Sequence, residues 1–251
     1  MRYNSLQNRL KKRGVFLVLE GADGTGKTTL SKILHTLCEH HGYDSVLVRN
    51  PGCTGIGEHI RSIVKTFTMD DITYSWLFLA GLRDVMLNVV KPAIEDEHKI
   101  VIMDRFLRSS WIYQHYYAQD VEHGETITEY NDRLYMYSNI VHHYITFQNS
   151  IIPDHEIVLT APNDVILNRI HSRIPQGDED ENITSFESND AFISHINDLY
   201  YDSVINNIPK IAFGDVQTMD SQTDVYVMAN DILWGLDGRP SKRGAVFERD
   251  D

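Results

Sequence analysis

The chain has 251 residues, of which 42% are hydrophobic, and carries a formal net charge of −13 at pH 7. This length and hydrophobic content suffice for one large core, and without a long apolar run or an apolar leader we expect neither a membrane span nor secretion. The acidic balance opposes nucleic-acid polymers as partners, whereas a mononucleotide needs only a few focused cations. Cys38 and Cys53 lack metal-ligand spacing and indicate a reducing, cytoplasmic compartment.

Residues 15–38 indicate a strand, a phosphate-binding loop and a helix. An apolar, β-branched run at 15–20 precedes the motif Gly21-x-x-x-x-Gly26-Lys27-Thr28, and apolar residues then recur at helical spacing. The glycines let backbone N–H groups point at phosphate oxygens, and the helix adds the positive end of its dipole. We predict that Lys27 reaches the β- and γ-phosphates of ATP and that Thr28 binds Mg²⁺. The alternative is a glycine turn with an incidental lysine.

Residues 44–49 predict a second strand that runs directly into the loop 50–61. Ligands bind at the carboxyl ends of the strands in doubly wound sheets. Pro51 restricts its own φ and the conformation of the preceding residue, so the loop has a defined shape. Arg49 and Arg61, one on either side, favour a binding loop over a plain turn.

A long helical stretch is predicted over residues 71–97, with a bend or interruption at Pro92. Phe78 and Arg83 lie within it. The residues alone leave two interpretations open. Both side chains contact a ligand, or Phe78 packs in the core and Arg83 forms a surface ion pair.

The strand predicted at residues 99–104 ends in the pair Asp104-Arg105. A carboxylate beside a phosphate-binding loop can hold a metal-bound water or orient an acceptor. The neighbouring guanidinium can bind a phosphate through two hydrogen bonds. A plain ion pair is the alternative, but the position beside the phosphate-binding loop favours function.

The rest of the chain predicts further helices and strands around one irregular loop. Residues 174–190 lack periodicity and predict a lid that closes over the donor. Arg169 and Arg173 lie one turn apart on the helix before it. The other expected elements are a tyrosine-rich helix at 127–147, strands at 156–160 and 210–213, and helices from Asn163, at 191–204 and at 224–234.

Together these elements predict an α/β fold of the P-loop NTPase type with a lid loop. Alternating strands and helices are typical of a parallel sheet, here of about five strands, with helices on its faces. We expect one P-loop domain over residues 14–234, after a flexible basic leader at 1–13 and before a polar tail at 235–251.

Four separated segments together resemble the thymidylate kinases, a family of nucleoside-monophosphate kinases. The phosphate-binding loop has the family's acidic residue at Asp23, and residues 49–54 match its second-strand loop. Residues 104–114, Asp-Arg-Phe-Leu-Arg-Ser-Ser-Trp-Ile-Tyr-Gln, match its most specific segment. Residues 153–173 match its carboxyl-terminal part.

The resemblance implies transfer of the γ-phosphoryl group of ATP, with Mg²⁺, to deoxythymidine monophosphate (dTMP) or a related 5-substituted deoxyuridine monophosphate. It also implies a homodimer. The catalytic group would comprise Lys27, Asp104, Arg105 and Arg173, with Thr28 and Asp104 at the metal. The donor site would comprise Gly21, Asp23, Gly24, Gly26, Lys27, Thr28, Thr29 and Arg169. The acceptor site would comprise Asp23, Arg49, Pro51, Phe78, Arg83, Arg105, Ser110, Tyr113 and Gln114.

The same resemblance implies individual roles in the acceptor site. Arg105 and Arg49 would bind the acceptor phosphate, and Asp23 would contact the sugar 3′-hydroxyl. Tyr113 would crowd the 2′ position and so favour deoxyribose.

On the base side, Ser110 would contact the pyrimidine edge, and Phe78 would stack on the base. Arg83 would contact the 4-oxygen of the base. The stacking residue depends on how the helix is aligned with the family, because alignment on Lys91-Pro92 gives Phe78 and alignment on Arg83 gives Leu79. Asn50 stands where bacterial relatives have glutamate, which favours an unusual or broader base specificity.

The lid departs from the family pattern, because Ser185 stands where a lid arginine is expected. Arg169 and Arg173 would then supply the transition-state cation. Three alternatives are a deoxynucleoside kinase, a broader-specificity deoxynucleoside-monophosphate kinase and a non-catalytic nucleotide switch. Residues 109–114 favour a monophosphate acceptor over a nucleoside. The presence of Lys27, Thr28, Asp104 and Arg105 together favours catalysis over a switch.

Overall fold

The computed structural model describes residues 6–116, 151–173, 189–205 and 215–238. Five parallel strands form one sheet in the order β2-β3-β1-β4-β5. The strands are β1 Val15–Glu20, β2 Ser45–Arg49, β3 Ile100–Asp104, β4 His155–Thr160 and β5 Asp215–Asp220. The predicted α/β fold with a parallel sheet of this size is confirmed.

Helices cover both faces of this sheet. They are α1 Leu6–Leu10, α2 Lys27–His40, α3 Gly55–Thr66, α4 Asp71–Val85, α5 Lys91–Glu95, α6 Leu107–Ser110, α7 Asn163–Arg173, α8 Asp190–Ile205 and α9 Val225–Leu236. Two π-helical turns, Met86–Val90 and Trp111–Tyr116, follow α4 and α6 directly.

The central strand β1 shows how the sequence determines the two layers. Every residue of this strand is buried, and successive side chains point to opposite faces. Val15, Leu17 and Leu19 pack with buried side chains of α2 and α9. Phe16 and Val18 pack on the other face with α4 and its π-helical turn. The continuous apolar run is therefore the signature of a strand buried on both sides.

Pro92 interrupts the long helix, as its sequence predicts. Proline has no N–H, and its ring clashes with the carbonyl four residues earlier, so the regular helical pattern cannot continue through it. The chain responds with the π-helical turn Met86–Val90, and the N–H of Lys91 bonds the carbonyl of Met86, five residues back. The helix continues as α5 beyond this turn.

The segment expected to be a flexible leader is ordered from Leu6 onward. Leu6 is 0% exposed, and its N–H donates to Asp237 Oδ1 at 2.8 Å. Arg9 forms an ion pair with Asp154 at 2.5 Å. Residues 6–10 are helical because an apolar anchor and an ion pair fix them to the domain, neither of which composition reveals.

The last strand differs in position from the sequence prediction. The stretch proposed as a strand, residues 210–213, lies outside the described residues, and β5 begins at Asp215. Its sequence, Asp-Val-Gln-Thr-Met-Asp, is largely polar because β5 is an edge strand that pairs only with β4. The predicted helix at 127–147, the lid before residue 189 and the tail beyond residue 238 also lie outside the described parts. None of the described helices is long and apolar enough to cross a membrane.

Candidate functional site

The phosphate-binding loop connects β1 to α2 with three glycines in conformations that other residues avoid. Gly21, Gly24 and Gly26 have φ values of 140°, 80° and 89°. A Cβ on Gly24 would lie 2.8 Å from the Ile166 side chain and 2.9 Å from its carbonyl oxygen. The loop is thus packed tightly against α7, and α2 begins immediately after Gly26 with its amides facing the loop.

Lys27 lies at the first position of α2 and bends back over the loop. It is 5% exposed, and its Nζ donates to the Ala22 carbonyl at 2.8 Å. Burial and the neighbouring Arg105 charge lower the pKa of the Lys27 amine to about 8. A buried ammonium destabilised in this way gains from an added anion, as a phosphate-binding lysine requires.

Thr28 and Asp104 face each other across the carboxyl ends of β1 and β3. The Thr28 hydroxyl donates to Asp104 Oδ2 at 2.8 Å, and Asp104 is the register partner of Leu19. Asp104 Oδ1 is buried without a hydrogen-bond partner in the described parts of the chain. A hydroxyl beside a carboxylate with an unsatisfied oxygen fits Mg²⁺, which keeps waters and takes few protein ligands. Thr29, also predicted in the donor site, is exposed in the same turn of α2.

Arg105 follows β3 directly and points into the space above the loop. Its φ is 70°, and its N–H donates to the Leu19 carbonyl at 3.0 Å. Its Nη1 donates to the Gly21 carbonyl at 3.3 Å, and its Nη2 forms an ion pair with Asp23. The guanidinium also lies 5.1 Å from the centre of the Tyr113 ring, a cation–π distance.

Asp23 connects Arg105 to Tyr113, whose hydroxyl donates to Asp23 Oδ2 at 2.8 Å. Burial alone would raise the pKa of the Asp23 carboxyl, but Arg105 and Lys27 outweigh it and lower the pKa below its usual value. For Tyr113, burial raises the phenol pKa well above its usual range. At neutral pH the cluster therefore consists of a carboxylate, two cations and a neutral phenol.

A second carboxylate, Glu20, lies behind this cluster and was not found by sequence reasoning. It is fully buried and bonds the backbone N–H groups of Phe106 and Ser109 at 2.8 and 3.1 Å. Another missed pair is Arg108 with Glu156, joined at 2.7 and 2.9 Å and almost completely buried. The signal in the sequence was a charged residue in an otherwise apolar strand. Such a residue requires a hydrogen-bonding or charged partner when it is buried.

The loop after β2 is held by Glu58. Arg49 donates from Nη2 to both Glu58 oxygens at 3.1 and 3.2 Å, and the Cys53 N–H donates to Oε1 at 2.9 Å. The Cys53 N–H, together with Arg49, lowers the pKa of the Glu58 carboxyl. Arg49 is the register partner of Asp104, so its backbone lies at the carboxyl end of the strands, where the phosphate-binding loop also begins.

Two residues of this loop meet α4. The peptide bond between Asn50 and Pro51 is cis, and both side chains lie close to Gly81. Asn50 Nδ2 donates to the Phe78 carbonyl at 3.3 Å. The side chains of Phe78 and Leu79 are both partly buried, but Leu79 packs against the core cluster on β1 and β3, whereas the Phe78 ring stacks on Tyr74 with ring centres 6.5 Å apart.

The remaining predicted residues divide into three groups. Arg83 and Ser110 are partly buried on α4 and at the end of α6. Arg169 connects the phosphate-binding loop to the turn after β5. It donates to the Gly24 carbonyl at 3.3 Å and to the Ser221 hydroxyl and carbonyl oxygens at 2.9 and 2.8 Å. The side chains of Gln114 and Arg173 lie outside the described residues. Among the described residues, no three His, Cys, Asp or Glu side chains form a metal cluster.

Three features together define the P-loop class of nucleotide-binding proteins. They are a parallel sheet with β1 at its centre, a glycine loop that precedes Lys27, and the Thr28–Asp104 pair at the carboxyl ends of β1 and β3. Within that class, the family model for thymidylate kinase matches residues 19–135. The chain belongs to the thymidylate kinase family. A thymidylate kinase of Caldicellulosiruptor saccharolyticus is 31% identical over 160 residues, which cover 63% of this chain and 70% of the relative.

Other relatives match a shorter region. A thymidylate kinase of Thermoanaerobacter sp. (strain X514) is 39% identical over 106 residues, 41% of this chain and 52% of the relative. A probable thymidylate kinase of Pyrococcus abyssi is 42% identical over 108 residues, again 41% and 52%. The chain thus spans about half the length of several curated relatives that it matches.

Proposed function

We propose that this chain transfers the γ-phosphoryl group of ATP to dTMP, or to a related 5-substituted deoxyuridine monophosphate, and releases ADP and the nucleoside diphosphate. One observation carries the proposal. Lys27 Nζ and Arg105 Nη1 bond the carbonyls of the adjacent residues Ala22 and Gly21, at 2.8 and 3.3 Å. Consecutive Cα atoms are about 3.8 Å apart. A cation suited to a triphosphate and a guanidinium suited to a monophosphate therefore share one wall of the same cleft.

On the donor side, the amides of the glycine loop and Lys27 would bind the phosphates of ATP. Thr28 and Asp104 would hold Mg²⁺, which when bound neutralises charge on the phosphates. Arg169 keeps the Gly24 backbone fixed to the turn at Ser221 and so preserves the shape of the loop. We assign Arg173 to the neutralisation of charge on the transferred group by family resemblance alone.

On the acceptor side, Arg105 would bind the phosphate of dTMP through the guanidinium that now bonds Asp23. Arg49 would add a second contact after it rotates away from Glu58, which is feasible because the Arg49 side chain is 50% exposed. Asp23, between Arg105 and Tyr113, is in position to accept a hydrogen bond from the sugar 3′-hydroxyl.

For the base and the sugar, we propose the following contacts. Phe78 would stack on the base with Arg83 near its 4-oxygen, Ser110 and Gln114 would lie at the pyrimidine edge, and Pro51 would shape the pocket. Tyr113 would limit the space at the 2′ position, because its hydroxyl is fixed by Asp23.

The mechanism that these residues support is alignment with charge neutralisation. Phosphoryl transfer needs little covalent chemistry from the protein. The acceptor phosphate has a second pKa of about 6 and is ionised near neutral pH, so it attacks without a general base. The work left to the chain is to hold two anions in line, and Lys27 and Arg105 reduce the repulsion between them.

An ADP-release assay with purified protein, ATP and Mg²⁺ tests the proposal. The acceptors are dTMP, dUMP, 5-hydroxymethyl-dUMP, dCMP, dGMP and thymidine. We expect turnover with dTMP or the 5-substituted deoxyuridylate and at least about a hundredfold loss in Lys27→Ala, which lacks one positioned charge. Turnover with thymidine but with no monophosphate would replace the proposal with a deoxynucleoside kinase. ATP binding without acceptor-dependent ADP would indicate a nucleotide switch.

We also propose that the protein acts as a cytoplasmic homodimer. Ile56 and Ile63 lie on α3, and Phe67 follows its last residue; the three side chains are 59%, 38% and 60% exposed. Apolar side chains at this spacing form a stripe that a second copy of the chain can cover. Sedimentation equilibrium of the wild type and of Phe67→Glu tests this, because a dimer through α3 should dissociate in the variant.

A further inference from the structure

The hydrogen-bond network around Glu20 has no role in the scheme above. Glu20 ends β1 and is 0% exposed. Its Oε1 accepts the N–H groups of Phe106 and Ser109, and its Oε2 accepts the Ser109 hydroxyl at 2.5 Å and the Tyr200 hydroxyl at 3.3 Å. Within the described residues, these hydrogen bonds join the carboxylate to α6, to Phe106 just before it and to α8.

The same two hydroxyls contact Arg105 from the other side. Arg105 Nη1 lies 3.3 Å from the oxygens of both Ser109 and Tyr200, and those oxygens are 2.6 Å apart. A guanidinium can only donate hydrogen bonds, and an ionised carboxylate can only accept them. The hydroxyl protons must therefore point away from Arg105. The two short contacts are satisfied when Tyr200 donates to Ser109 and Ser109 donates to Glu20, so the chain of hydrogen bonds has one direction.

Glu20 also holds the backbone from which Arg105 projects. The N–H groups that it accepts belong to the residues at the start of α6, immediately after Arg105. Arg105 itself adopts φ of 70°, a region that L side chains disfavour. The strain persists because Glu20 on one side and the Leu19 carbonyl on the other fix the turn.

We propose that Glu20 is a positioning residue that, through the hydroxyls of Ser109 and Tyr200, orients the Arg105 guanidinium to bind the phosphate of the acceptor nucleotide. This inference rests on the proposed function, which makes Arg105 the ligand of that phosphate. With Nη1 engaged by the two hydroxyls and the Gly21 carbonyl, Nη2 stays directed toward Asp23 and the acceptor side of the cleft.

Glu20→Gln separates this role from simple helix capping. Glutamine keeps an oxygen for the N–H groups of Phe106 and Ser109, so the cap is retained. Its amide nitrogen donates to the Ser109 hydroxyl where Glu20 Oε2 accepts, so Ser109 must donate to Tyr200 instead. The Tyr200 proton then has no acceptor at residue 20 and faces the Arg105 donor. Hydrogen bonds to charged groups contribute about 1.5–3 kcal/mol, and about 1.4 kcal/mol is tenfold in affinity.

Titration calorimetry provides the measurement. We expect the Kd of dTMP to rise at least about tenfold in Glu20→Gln, while the Kd of a non-hydrolysable ATP analogue stays within about twofold. In the Ser109→Ala/Tyr200→Phe background the same substitution should change dTMP affinity less than about twofold, because the connecting hydroxyls are gone. The matched control is Glu156→Gln, which alters a buried carboxylate bonded to Arg108 and should lower Tm without changing the Kd of dTMP.

Three results overturn the inference. An unchanged Kd of dTMP in Glu20→Gln would mean that Glu20 only caps α6. An equal loss of affinity for dTMP and for the ATP analogue would indicate general distortion. An equal effect of Glu20→Gln in the Ser109→Ala/Tyr200→Phe background would exclude transmission through the hydroxyls. If the wild type neither binds nor phosphorylates dTMP, the proposed function fails separately. The guanidinium NMR signal of Arg105 then tests the inference alone, since Glu20→Gln should shift it and an unshifted signal contradicts the proposal.

Discussion

Arg105→Ala offers the sharpest combined test of stability and activity. The side chains of Arg105 and Asp23 are only 22% and 27% exposed, so their ion pair is partly shielded from solvent. Removal of one partner from a buried pair costs about 3–5 kcal/mol, and the partial exposure here reduces our expectation to about 2–3 kcal/mol. Loss of a positioned charge should also lower turnover at least about a hundredfold.

Asp23→Asn separates the two effects. In Arg105→Ala the Asp23 carboxylate is left without its main counter-charge, whereas the double variant has no carboxylate to leave unpaired. We therefore expect the double variant to regain most of the lost free energy of unfolding, measured in urea, while activity stays low. If instead the double variant loses the sum of the single effects, the two residues do not interact and the cluster is wrongly described.

The pH dependence of the stability of Arg105→Ala follows from the pKa of the Asp23 carboxyl. In the wild type, the lowered pKa means that Asp23 contributes stability above its unfolded pKa of about 4, which is lost as the pH falls through the folded pKa. Without Arg105, only Lys27 and the Tyr113 hydrogen bond oppose the effect of burial, so the folded pKa of Asp23 rises relative to the wild type. The ionised carboxylate then contributes less stability in the variant near pH 7 than in the wild type. The stability difference between wild type and variant should shrink as the pH is lowered toward 4, and a constant difference would contradict this reasoning.

Further predictions concern the donor loop and the sugar. Because the pKa of Lys27 is lowered to about 8, kcat/KM for ATP should fall above that pH as Lys27 loses its charge, and Lys27→Arg, which stays protonated, should remove this fall. Tyr113→Ala should weaken discrimination against the ribose analogue of dTMP, and an unchanged preference in competition assays would exclude Tyr113 as the cause. Gly24→Ala should lower Tm more than Gly42→Ala, since both have positive φ but only the Gly24 Cβ meets Ile166 at 2.8 Å. Equal losses in thermal unfolding would show that packing against Ile166 is unimportant.

Sequence patterns predicted the centre of the sheet well because β1 and β3 are apolar runs that end at recognisable motifs. β1 precedes the glycine loop, and β3 ends at Asp104. β5 at Asp215–Asp220 was not predicted because an edge strand has no need of an apolar sequence. The helix at Leu6–Leu10 was missed because its order comes from distant partners such as Asp237.

The site was predictable where one residue type determines the chemistry. Lys27, Thr28 and Asp104 could be predicted to lie together because their functional groups occur in a strand-loop-helix context, and the structure brings Thr28 and Asp104 into contact. Their roles in phosphate and metal binding stay predictions. Glu20 and Tyr200 could not be predicted to lie together, because they act through hydrogen bonds between residues 180 positions apart in the chain. Only the three-dimensional structure brings such partners together.

Binding of a bisubstrate analogue, adenosine joined to thymidine through five phosphates, tests the shared cleft most directly. We expect one molecule per chain by titration calorimetry, with at least about tenfold weaker binding in both Lys27→Ala and Arg105→Ala, since each removes a charge on the same phosphate chain. Binding that only Lys27→Ala weakens, with Arg105→Ala unchanged, would show that the acceptor phosphate lies elsewhere and would contradict the account.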